Sequence, residues 1–134
     1  MQDYINALFG GQQRHLRLRR ETLAAFEREL RGSAHALLRR LAQGDWTRCD
    51  VELVLEYAML TDSTAEALTG PAGLAMPRTF RGPLVGRTEV QRFLDAHPIA
   101  PYAVLAARLL EAALYGIEAD AAHFDEGAEL GAVA

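Results

Sequence analysis

The chain has 134 residues, half of them apolar and 24% charged, which is the size and make-up of one globular domain and leaves no room for a catalytic domain beside a separate cofactor domain. Its one cysteine, Cys49, excludes an internal disulfide and suits a reducing, cytoplasmic setting. The 14 basic residues are all arginine, and they concentrate early: Met1–Arg48 carries nine against five acids, whereas Cys49–Ala134 carries five against thirteen, for a total of −4.

Asp3–Phe9 places Tyr4, Ile5, Leu8 and Phe9 at the i, i+1, i+4, i+5 spacing of a short helix, ended by Gly10-Gly11. It carries Asp3 and no basic residue, unlike a secretory signal. Residues 1–11 are therefore expected to be a short docking segment with Tyr4, Ile5, Leu8 and Phe9 as its contact residues. A single helical domain over 12–118 and an acidic, Ala/Gly-rich tail over 119–134 are expected to follow.

Gln12–Gln43 reads as a long amphipathic helix. Leu16, Leu23, Leu30 and Leu37 recur every seven residues, with Phe26, Ala34, Leu38 and Leu41 on the same side. Gly32-Ser33 is a place for a bend or break, and Gly44 is the stop. The spacing does not make a basic zipper, because the second seam position holds Arg19, Phe26, Ser33 and Arg40. The opposite side carries Arg14, Arg17, Arg28 and Arg31. Together with Arg19 and Arg20 these define an alternative function, nucleic-acid binding through an arginine-rich helix face. A sequence pI near 5.5 argues against that alternative.

Asp45–Leu60 fits two periods. Val51, Leu53, Leu55, Tyr57 and Met59 alternate as in a strand, while Val51, Val54, Leu55, Ala58 and Met59 share a helical face. The β-branched content tilts the expectation to a strand, giving an α+β alternative with a hairpin around 51–69. Gly70–Gly86 is rich in proline and glycine and reads as a long loop. Arg78, Phe80, Arg81 and Arg87 mark it as a candidate contact surface.

Thr88 and Gln91 form a capping-box pattern opening a helix that His97-Pro98 ends, and Pro101 opens the last helix. From Tyr102 to Ile117 only Arg108 and Glu111 are charged. A helix so apolar is either central to the core or shared with another subunit, and homo-oligomerisation through 101–117 is the expectation. No run of about 18 residues is free of charge, so a membrane span is not expected.

No catalytic constellation emerges. Cys49 lies between Arg48 and Asp50, whose charges offset, and Ser33 and Ser63 lack a nucleophile-elbow setting. Glu52 and Glu56 share a face in either geometry but read as solvated acids. Asp120 and His123, three apart, are the nearest approach to a metal pair. No cofactor and no metal site are expected.

The phrases Leu41-Ala42-Gln43-Gly44-Asp45-Trp46 and Gly82-Pro83-Leu84-Val85-Gly86-Arg87 are similar to ones common in the NTF2-like fold. That fold needs several long strands afterwards, where this sequence places the Pro101–Ile117 helix, so the resemblance is not adopted.

The sequence thus points to a mainly helical small domain with a long amphipathic N-terminal helix and two C-terminal helices. The expected function is that of an intracellular, non-enzymatic interaction or adaptor protein that self-associates. A small-molecule pocket or enzyme under the 70–86 loop, lined by Tyr57, Phe80 and Phe93, is a second alternative.

Overall fold

The computed structural model describes residues 2–9, 12–59, 87–118 and 123–125. Tyr4–Phe9 is a strand (β1), not the expected helical turn. Ile5 and Ala7 are fully buried while Tyr4, Asn6 and Leu8 are half-buried, a period of two that only an extended chain produces. β1 pairs antiparallel with Gln12–Arg17 (β2), with Tyr4 opposite Arg17 and Phe9 opposite Gln12. It also pairs in parallel with His123–Asp125 (β3), with Asn6 opposite His123. The order is β2-β1-β3, so the segment expected to dock elsewhere is the middle strand. Leu16 of β2 and Phe124 of β3 join Ile5 and Ala7 in the core.

The expected long N-terminal helix is four separate pieces. Leu16 belongs to β2, Leu23 and Leu30 to helix α1 (Leu23–Leu30), and Leu37 to helix α2 (Ala34–Gln43). The seven-residue leucine repeat is therefore a coincidence of separate elements, each burying its own apolar side. Between β2 and α1 the chain is extended at Arg19 and then forms a single tight turn, Arg20–Thr22. The buried Thr22 hydroxyl satisfies itself by donating to the Arg19 carbonyl at 3.0 Å.

The break at Gly32-Ser33 falls where the sequence places it. Arg31 ends α1 in the left-handed region at φ 61°, and the Ser33 hydroxyl caps α2 by accepting from Ala36 N–H at 3.0 Å. Glu27 reaches across the break, Oε2 accepting from Ala34 N–H at 2.8 Å. A carboxylate there also meets the positive end of the α2 dipole. Gly44 terminates α2 at φ 77°, a conformation that favours glycine.

Arg48–Ala58 is a helix (α3), which corrects the strand expectation and the hairpin around 51–69 over its described part. The cause lies just upstream. Thr47 Oγ1 accepts from Asp50 N–H at 3.3 Å, and Asp50 Oδ2 accepts from Thr47 N–H at 2.9 Å. This reciprocal box fixes a helical start. Val51, Leu53, Val54, Leu55, Tyr57 and Ala58 are all buried, because α1, β2 and the two later helices pack around α3.

Arg87–Ala96 (α4) ends at His97-Pro98, and Ala100–Tyr115 (α5) carries Pro101 in its first turn, both as expected. Nine residues of α5 are buried, among them Tyr102, Leu105, Ala106, Leu109 and Leu110. The helix packs on α2, α3 and β1, with small Ala103, Ala106, Ala112 and Ala113 on its buried sides. Its apolar surplus, attributed from sequence to a second subunit, is covered mostly by its own chain. Val104 and Tyr115 remain 42% and 57% exposed. The fold is mainly helical with a small sheet at one side; β1 and β2 stand where the sequence was read as helix, and β3 where it was read as a tail. Among the described residues no helix is long and apolar enough to cross a membrane.

Candidate functional site

α4 separates two concavities. On one side lies an open cleft of about 350 Å³ lined by Arg92, Phe93, Ala96 and His97. This volume falls at the lower end of the range for ligand pockets, roughly 300–1,000 Å³. Strand alternation brings one further cation close to it. Arg14 stands opposite the buried Ala7, so it projects from the inner side of the sheet at the end that faces α4. Its guanidinium carbon lies 6.0 Å from the centroid of the Phe93 ring, at the outer limit of a cation–π contact.

His97, one turn after Phe93, donates from Nδ1 to the Phe93 carbonyl at 3.0 Å. A carbonyl can only accept, so this bond assigns the Nδ1 proton and leaves Nε2 as the other ring nitrogen. The His97 ring also contacts Phe93 and Tyr102, at 5.9 and 6.0 Å between centroids. The cleft therefore has an aromatic floor, the Arg92 guanidinium in its lining and a fixed imidazole beside them, with Arg14 near the Phe93 ring.

On the other side of α4 is a smaller groove of about 240 Å³, lined by Glu29, Cys49, Glu52, Leu53, Glu56 and Gln91. Arg48, at the start of α3, bridges from Glu52 to α4 beside it. Its Nε donates to Glu52 Oε1 at 2.8 Å, and its Nη2 bonds the Asp95 carboxylate and the Gln91 carbonyl. The guanidinium is held above its ordinary pKa by hydrogen bonds to Glu52 and then Asp95, outweighing desolvation; it is charged at every physiological pH in any case. Glu56 is buried, and Cys49 is exposed. Among the described residues no group of three or more His, Cys, Asp or Glu side chains is placed to hold a metal ion.

The residues singled out from sequence are dispersed. Ile5 is fully buried in the core, so in this fold it is not available to a partner. Tyr4 lies on the outer side of the sheet with its ring 4.2 Å from His15, Leu8 is half-buried on that side, and Phe9 ends β1. Arg87 is the first residue of α4, while Arg78, Phe80 and Arg81 lie outside the described residues.

The six arginines of the nucleic-acid alternative do not share one helix. Arg14 and Arg17 belong to a strand and point to opposite sides of the sheet, and Arg17 is paired with Asp3 at 3.1 Å. Arg19 lies 3.8 Å from Glu21, Arg20 opens the tight turn, Arg28 is on α1, and Arg31 ends it. Asp50 serves as a cap and takes Arg40 Nη1 at 3.0 Å. Of the metal pair considered, His123 lies exposed in β3, and Asp120 is outside the described residues.

Sequence reasoning missed Arg92 and His97 as partners of Phe93. Their spacing, adjacent and one turn on, was the available signal. The chain matches no known protein family, no curated protein and no solved structure.

Proposed function

We propose that this is a small, intracellular, non-enzymatic interaction module that grips an acidic protein segment through one apolar or aromatic anchor. The observation that carries the reading is the cleft beside α4, where Arg92, Phe93, Ala96 and His97 form the lining and the Arg14 guanidinium stands 6.0 Å from the Phe93 ring. An aromatic floor rewards burial of an apolar side chain. Guanidinium groups at the edge select carboxylates, which they bind in a planar two-point geometry, and they speed encounter with acidic partners.

The test is calorimetric titration with two synthetic peptides of equal length. One carries a central tyrosine flanked by glutamates, and the other the same tyrosine flanked by lysines. The acidic peptide binds, and binding falls by at least about tenfold in Phe93→Ala and in Arg92→Glu. Equal binding of both peptides, or binding that ignores both substitutions, removes the proposal.

A further inference from the structure

Resting on that reading of the cleft, we infer that its occupant is a second copy of this chain, presented head to tail by the outer ridge of α5. Among the described residues, Val104 and Tyr115 are the exposed large apolar side chains, 42% and 57% open. With Glu111 they stand at i, i+7 and i+11, positions that fall on one helical face. Glu111 is exposed, and so is Glu118 just beyond the helix.

The ridge therefore offers what the cleft is shaped to accept, an aromatic anchor between carboxylates. The Tyr115 ring stands edge-on to His35 at 6.1 Å, which limits the rotamer freedom it would lose on docking. Arg108, the one cation on this flank of α5, is turned to the sheet, where its Nη1 donates to the His123 carbonyl at 3.3 Å.

The two surfaces lie too far apart to meet within one molecule. Tyr102 touches His97 of the cleft, and Tyr115 comes 13 residues later on the same helix, about 20 Å along its axis. The contact is thus heterologous: each copy gives its ridge to one neighbour and its cleft to another, building a ring or an open row.

Sedimentation velocity on the full chain tests this. The wild type gains mass with concentration up to about 200 µM, and association weakens as salt rises. Arg92→Glu and Glu111→Arg are each monomeric alone, and Arg92→Glu mixed with Tyr115→Ser forms a one-to-one dimer and nothing longer, because one intact ridge and one intact cleft remain and the altered cleft repels Glu111. Tyr115→Ser is monomeric with an unchanged circular dichroism spectrum. A wild-type monomer that binds the acidic peptide overturns this inference and leaves the proposed function standing, whereas a monomer that binds neither overturns both. Assembly that persists in Tyr115→Ser, or in either charge variant alone, also overturns it.

Discussion

The Phe26 ring meets Tyr57 edge-on, 5.4 Å between centroids at an interplanar angle of 76°. Both side chains are fully buried, and the contact ties α1 to α3. Phe26→Ala is expected to cost about 3–5 kcal/mol, a large part of the roughly 5–15 kcal/mol that holds a domain of this kind. Phe26→Leu is expected to cost about 1 kcal/mol. Urea denaturation of the two variants checks both values, and equal midpoints would show that the ring does not support the core as described.

Asp50 carries three loads: Thr47 N–H, Arg40 and the start of α3. Asp50→Ala is expected to lose about 1–2 kcal/mol and Thr47→Ala about 1 kcal/mol. Because the two side chains form one reciprocal unit, the double variant should lose less than the sum. Thermal unfolding of all three resolves this, and strict additivity would contradict the box.

Two left-handed positions predict opposite outcomes. Arg31 holds φ 61° with a side chain, and Gly44 holds φ 77° without one. Arg31→Gly is expected to gain about 0.5–1 kcal/mol and Gly44→Ala to lose about 1 kcal/mol, although a methyl group at Gly44 would meet nothing within 4 Å. The penalty is backbone strain alone. Gly32, equally open and without a positive φ, should accept alanine at no cost.

Deleting residues 1–11 separates a docking arm from a structural strand. An arm would come off without effect on folding. Here β1 is the middle strand and contributes Ile5 and Ala7 to the core, so the truncated chain is expected to lose cooperative thermal unfolding. Ile5→Asp should behave alike, since an unpaired buried carboxylate costs several kcal/mol. Tyr4→Ala, on the half-open outer side, should stay folded. Circular dichroism melts of the three distinguish the cases.

What could be read from sequence was local. Gly44, the Gly32-Ser33 break, His97-Pro98 and Pro101 act on their own backbone and stand where expected. The errors came from patterns that two geometries share. Val51–Met59 satisfies both periods, and only the Thr47/Asp50 box decides between them. Tyr4, Ile5, Leu8 and Phe9 match a helical spacing, but what makes them a strand is pairing on both sides, with β2 next to it along the chain and with β3 more than a hundred residues later. A Gly-Gly pair between two short runs is also a hairpin signal, and at Gly10-Gly11 it was read as a helix stop. The cleft was invisible for the same reason: Arg14 reaches Phe93 across 79 positions of chain, and no spacing rule connects them.

The pairing of Asn6–Leu8 with His123–Asp125 also sets an order of events during synthesis. At the usual pace of translation the first strand waits on the order of 10 s for its distal neighbour to emerge. Throughout that interval one flank of a strand carrying Ile5 and Leu8 stands without its backbone hydrogen bonds, the condition under which nascent chains join one another in error. Slowing the ribosome between the two segments should therefore lower the yield of native protein without altering a single contact in the finished fold.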